Sequence, residues 1–223
     1  IYIWRTGGIA QVADMDRLNQ IDWQGRQVNP GDLYPLDVSG PDGKPDGKIN
    51  DEYDRVIVGS PDPKFYGGFS TDLSWKGLSL NLVFNYSYGA KKLSYMYETL
   101  VGSVGRSLAS VDLLDRWTPE NTDAKFPRPM LHDGNDGAPS YNTFNAGQMD
   151  FSVQDASYLR LSTMTLAYTL PKKLVNTMKL DNVRFYTTAS NVFCWTPYKG
   201  YDPETGDWYP PTRMFVFGLN VSF

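Results

Sequence analysis

The residues most able to do chemistry sit in two loops. In "DVSGPDGKPDGKINDEYD", Asp37, Asp42, Asp46 and Asp54 crowd a glycine-rich stretch. Closely spaced carboxylates supply the hard oxygen ligands that calcium prefers, and a glycine permits the sharp turn between them. With Gly47 as that turn glycine, Asp42 occupies the first ligand position, but Lys44 falls on the third and Tyr53 on the twelfth. Neither suits calcium, so the four aspartates predict an irregular site or a plain acidic turn. The second loop, "WTPYKGYDPETGDWYPP", carries Trp195, Tyr198, Tyr201, Trp208 and Tyr209 among stiffening prolines. Such rings stack on sugar faces or anchor protein interfaces at low entropic cost, and they also pack on one another to shape a loop.

Other reactive groups are sparse. His132, the single histidine, lies in "LHDGNDG" and has no set of partners that would make a triad or a metal centre. Cys194 is the single cysteine; it cannot form an internal disulfide and fits a small apolar packing role. "GPDGKPDGK" has no flanking strand and helix to make a phosphate loop, and nothing marks out a pair of glycosidase carboxylates. No enzyme is read here. With net charge −4 and a pI near 5.0, the chain lacks the basic stripe that nucleic acid requires.

Long alternating runs surround these loops. Phe215, Phe217, Leu219, Val221 and Phe223 share one face of a closing strand, with Val216, Gly218, Asn220 and Ser222 on the other. In "GLSLNLVFNYSYG", Leu78, Leu80, Leu82, Phe84, Tyr86 and Tyr88 alternate with Ser79, Asn81, Val83, Asn85 and Ser87. The run Phe69, Thr71, Leu73 and Trp75 precedes it across "KG", which predicts a tight hairpin. Val183, Phe185, Thr187 and Ala189 oppose Arg184, Tyr186, Thr188 and Ser190. In "SYLRLSTMTLAYTLP" the phase breaks: Leu159 and Leu161 keep one parity, Met164, Leu166 and Tyr168 the other, which predicts a bulge near Ser162.

Two architectures fit strands of this kind. In a soluble sandwich with aromatic loops, here one that would bind carbohydrate, the apolar face covers a core. In a transmembrane barrel it faces lipid, with aromatic residues at the interfaces and small polar residues toward the lumen. The closing strand alone does not separate them. Mean hydropathy of −0.42 and 15 prolines are unlike a helical membrane protein, and no run approaches the length of a spanning helix, which says nothing against a barrel, whose alternating strands average out. Connection lengths favour the barrel: the two-residue "KG" turn is followed by a stretch from about residue 90 to 155. Outer-membrane barrels pair short periplasmic turns with long external loops. Five strands fall short of the about eight that the smallest membrane barrels need, and open edges in lipid would cost too much, so the missing strands are expected upstream. The opening "IYIWRTGG" lacks methionine and starts in mid-pattern, which also reads as a fragment.

"RWTPENTDAKFPR" (116–128), "SYLRLSTMTLAYTLPKKL" (157–174), "NVFCWTPYKGYDPETG" (191–206) and "FVFGLNVSF" (215–223), preceded by "DGKINDEYDRVIVGSPDPKFYGGFS" (46–70), resemble the carboxy-terminal signature of the SusC/RagA family of Bacteroidetes. The likeness runs from about residue 31 to 223. It implies an all-β fold: the carboxy-terminal strands of a plugged, transmembrane antiparallel barrel of about 22 strands with long extracellular loops. Residues 1–64 and 91–155 would be extracellular loop regions, 65–90 a hairpin and 156–223 the last three strands, with the plug domain absent from this chain. The family's function would be TonB-dependent import of glycans, or in some members peptides, across the outer membrane. A siderophore or cobalamin receptor of the wider TonB class is the alternative in the same location.

Implied partners are a SusD-like surface lipoprotein acting as a lid, TonB through the missing amino-terminal part, the outer-membrane assembly machinery, the bilayer and the glycan. Trp195, Tyr198, Tyr201, Trp208 and Tyr209 would meet the lid or the substrate. Phe215, Phe217, Leu219, Val221 and Phe223 resemble the assembly signal of such barrels. The family's acidic segment is tighter (Asp-x-Asn-Gly-Asp-Gly), and the extra residues around Pro41 and Pro45 depart from it, so calcium here would need an irregular site.

Overall fold

The computed structural model describes residues 1–104, 108–131, 149–206 and 209–223; His132 and Trp208 lie outside them. In chain order the strands are β1 (Tyr2–Trp4), β2 (Thr6–Ile9), β3 (Leu33–Pro35), β4 (Arg55–Ile57), β5 (Phe65–Trp75), β6 (Leu78–Tyr88), β7 (Lys91–Leu93), β8 (Ser103–Val104), β9 (Met130–Leu131), β10 (Val153–Asp155), β11 (Tyr158–Thr169), β12 (Asn182–Trp195) and β13 (Met214–Ser222). The helices α1 (Met15–Leu18), α2 (Tyr95–Gly102) and α3 (Lys172–Thr177) are short, and among the described residues no helix is long and apolar enough to cross a membrane. The chain divides into two compact units, Ile1–Pro61 with Lys91–Gln154, and Asp62–Ala90 with Asp155–Phe223.

The second unit is one antiparallel sheet in the order β13-β12-β11-β6-β5. Its strands contain 11, 11, 12, 14 and 9 residues from β5 to β13, about the 9–11 or more that a tilted strand needs to cross a bilayer. The hairpin between β5 and β6 turns on Lys76 and Gly77, with φ of 46° and 87°. Two successive positive φ values are the geometry that matches the twist of the flanking strands. At Gly77 a Cβ would also come within 2.6 Å of the Thr169 carbonyl oxygen, so the glycine is needed twice over.

The bulge expected near Ser162 is present. Registers of β11 with both β6 and β12 shift between Leu161 and Thr163. Met164 pairs with Leu82, but Leu161 pairs with Phe84, so β11 spends one residue more than β6 there. The slip returns Leu159 and Leu161 to the face of Met164, Leu166 and Tyr168. On β12 the matching irregularity falls at Asn191, with φ of 52° and its Nδ2 donating to the Thr212 carbonyl at 3.0 Å.

The first unit is built differently. The sequence reading leaves 1–64 and 91–155 as loop, whereas 1–61 and 91–154 fold around an apolar core of Trp4, Leu18, Trp23, Leu33, Ile49 and Met149, among others. β1 pairs with β4, β2 with β3, and β8 with β9. Trp23 donates its indole N–H to the Leu18 carbonyl at 2.9 Å and meets Tyr34 edge-on. Strands of two to four residues are too short to show a period, which is why alternation misses them.

Candidate functional site

The sheet presents two chemically distinct faces. Paired residues share a face, so the registers join Trp75, Leu73 and Phe69 to Leu78, Leu80 and Phe84, then to Tyr168, Leu166 and Leu161, then to Phe185 and Phe193, and finally to Leu219, Phe217 and Phe215. This apolar face is exposed: Phe217 is 80% accessible, Leu73 58% and Phe69 53%. These values do not describe a core covered by a second sheet, so the sandwich expectation has no support among the described residues. Aromatic rings gather at both ends. Phe65 stacks on Tyr88 at 4.9 Å with Trp195 near the same end, whereas Trp75, Tyr168 and Phe185 occupy the other. At the Phe65 end, Tyr86, Leu159 and Pro197 help to line a hollow of about 430 Å³.

The opposite face is polar. Asp72 accepts a hydrogen bond from Asn81 at 2.8 Å, and the Thr165 and Thr188 hydroxyls lie 3.0 Å apart. Tyr186 lies over Gly218, where a Cβ would meet the ring at 2.1 Å. The glycine of the edge strand is thereby covered by a cross-strand aromatic and is half-buried.

The aromatic loop is organised by a pair of charges that spacing alone does not single out. Arg160 on β11 places Nη2 2.6 Å from Asp202 Oδ2 and 3.7 Å from Glu204 Oε2. Both partners of the short contact are buried, with side-chain exposures of 7% and 4%. Asp202 also accepts from the backbone N–H groups of Glu204 and Thr205, each at 2.9 Å. Burial pushes the Asp202 carboxyl up, but the hydrogen bonds from Arg160, Thr205 and Glu204 outweigh it and hold the group below the usual carboxylate range. The signal in the sequence is a lone arginine between Leu159 and Leu161, but its partner lies 42 positions away. Of the five aromatic candidates, Trp195, Tyr201 and Tyr209 are exposed, Tyr198 is buried with Ala90 and Ala156, and Trp208 lies outside the described residues.

The acidic candidates serve the backbone. Asp54 is fully buried; its Oδ1 accepts from the Val38 and Ser39 N–H groups and its Oδ2 from Asn50. Asp37 accepts from Asp46 and Gly47, and Asp46 from Lys48, while Asp42 stays exposed on the turn. Among the described residues no group of three or more histidine, cysteine, aspartate or glutamate side chains is placed to hold a metal ion. A second ion pair was also missed: Arg128 Nε lies 2.6 Å from the buried Asp32 Oδ1, with Trp117 packed over Gly31 beside it. Phe215, Phe217, Leu219 and Val221 line the apolar face of the edge strand β13, and Phe223 continues their parity, 95% exposed.

No family model matches the chain. Over 187 residues it is 32% identical to TonB-dependent receptor P3 of Formosa agariphila, an alignment covering 76% of this chain and 17% of that protein. It is 26% identical over 180 residues to TonB-dependent receptor SusC of Bacteroides thetaiotaomicron, covering 78% and 16%. A solved structure of the RagAB peptide transporter matches with a TM-score of 0.70 at 26% identity, covering 100% of this chain and 22% of the other. The RagAB peptide importer in its closed-closed state matches at 0.68, 27% identity, 100% and 23%. The chain thus spans 16% to 21% of the curated relatives it matches.

Proposed function

The chain belongs to the SusC/RagA family of TonB-linked receptors, and from that premise we propose that it forms wall and external loops of an outer-membrane importer. The observation that carries this reading is the two-faced sheet. An apolar face with aromatic residues at both ends suits a bilayer, and a face of serine, threonine, asparagine and arginine suits a wet lumen. The edges β5 and β13 would be closed by further strands, because unpaired backbone in lipid is too costly.

As part of such a receptor, the chain would work with a SusD-like surface lipoprotein and draw on TonB through segments outside it. Trp195, Tyr201 and Tyr209 would contact solute or lid. The substrate proposed first is an oligosaccharide, as the family resemblance implies and as exposed aromatic rings on a proline-stiffened loop would favour. A peptide is the second reading, supported by the likeness to the RagAB peptide transporter. Uptake of labelled oligosaccharides and peptides by cells with and without the full-length protein separates the two. Loss of glycan uptake alone supports the first, loss of peptide uptake alone the second, and unchanged uptake of both would sink the importer reading.

A further inference from the structure

The ion pair fixes the direction in which the aromatic loop folds. Arg160 and Cys194 share a rung of β11 and β12, and alternation points that rung away from Leu159, Leu161, Phe193 and Trp195. It therefore belongs to the polar face. On an uncovered sheet a guanidinium there would be solvated, yet Arg160 is buried: it lies over the Tyr158 ring of its own strand at 5.4 Å, and its charged partners, Asp202 and Glu204, come from the loop. Tyr198 forms a second anchor against Ala90 and Ala156, and the Thr196 hydroxyl donates to the Ser157 carbonyl at 2.8 Å. Between these anchors Tyr201 stays exposed.

We infer that Arg160 is a positioning residue that holds residues 197–206 inward across the polar face, so that this loop, with Tyr201, lines the solute passage instead of forming an outward surface for a protein partner. A loop at the end of a hairpin can fold to either side of its sheet. Here the charge on β11 selects the side: Asp202 meets Arg160 on the polar face, and turning outward would break that pair and uncover the guanidinium. The inference rests on the proposal that the polar face is the lumen.

The test uses the full-length receptor in the outer membrane of intact cells. Cys194, the chain's single cysteine, lies on the rung that the loop covers and reports its opening. Labelling by an externally added, membrane-impermeant maleimide is measured, with Cys194→Ser as the background. Asp202→Asn is expected to speed labelling of Cys194 at least about tenfold, while Arg160→Lys, which keeps the charge, stays within about threefold of the native rate. Labelling of Asp202→Asn at the native rate overturns the inference. Should Asp202→Asn not reach the membrane, Tyr198→Ala removes the second anchor; the same tenfold rise is expected of it, and labelling at the native rate again overturns the inference. A band that shifts on boiling reports a folded barrel independently: its absence from the native receptor overturns the barrel reading and the inference with it, whereas its presence with unaltered labelling overturns the inference alone.

Discussion

The two units bury opposite things. In the unit of 1–61 and 91–154, Leu18, Leu33, Ile49 and Met149 are inside, and the aspartates at the surface of its acidic turn cap backbone N–H groups. In the sheet unit the largest apolar side chains are outside, on one continuous face, while Arg160 and Asp202 are among the buried groups. Hydrophobic burial organises the first, as in a fold surrounded by water. A second fold built from the same twenty residues with its greasy face exposed is stable only in another solvent, and strand length, aromatic ends and a polar reverse face all name that solvent as lipid. On the proposed reading, one chain carries the rules of two media, separated by unit.

The comparison breaks most visibly if the faces of the sheet are exchanged. Leu80→Arg with Leu166→Arg, adjacent on the apolar face, places two charges near mid-sheet at about 2–4 kcal/mol each in a bilayer. Heat-shifted receptor in outer-membrane fractions should become undetectable, whereas Asn81→Arg on the polar face should leave a measurable band. Equal loss from both would mean that the faces are not distinguished by their surroundings.

A core substitution in the other unit should cost a similar amount by a different mechanism. Ile49→Ala removes a fully buried side chain, for an expected loss of about 2–5 kcal/mol. Because that unit obeys aqueous rules, the cost should show as faster proteolysis of 1–61 with little change in barrel yield.

Acid should loosen the aromatic loop without touching the apolar face. The folded Asp202 carboxyl titrates below its unfolded range near about 4. Its pair with Arg160 therefore contributes fully above that range and is lost as pH falls through the folded value. Pepsin cleavage near Tyr201 in the solubilised receptor should rise across that fall in the native protein and be high and flat in Asp202→Asn. A flat native profile would contradict the electrostatic basis of the anchor.

Smaller still is the effect expected from trimming the edge strand. Phe217→Ala with Phe223→Ala should lower the amount of assembled barrel several-fold if these residues are read by the assembly machinery, and the quantity to follow is the heat-shifted band against total receptor. Unchanged assembly would remove that role from them. The mildest change, Thr165→Val, breaks one cross-strand hydroxyl pair on the polar face and should cost under about 1 kcal/mol.

How much of this was legible in the sequence follows the same division. All five long strands were, because period-two alternation survives whichever medium the apolar face meets. The bulge was legible as a phase break between Leu161 and Met164, though not that it returns both leucines to a single face. The compact unit was not: Leu18, Leu33, Ile49 and Met149 sit in very short elements or outside any, so their burial leaves no period. Asp37 and Asp54 were noticed for the right chemistry, since carboxylate oxygens suit both a cation and a backbone N–H, and spacing cannot tell which they meet. Arg160 and Asp202 were each visible within quoted motifs, but their pairing required the fold.

The most direct measurement of the central claim places a spin label at Leu80→Cys and at Asn81→Cys, one at a time, in the full-length receptor reconstituted in a bilayer with Cys194 replaced by serine. If the apolar face meets lipid, the label at 80 relaxes strongly with dissolved oxygen and weakly with a water-soluble nickel chelate, and the label at 81 does not share that oxygen preference. A label at 80 shielded from both reagents, as beneath a second packed sheet, would contradict it.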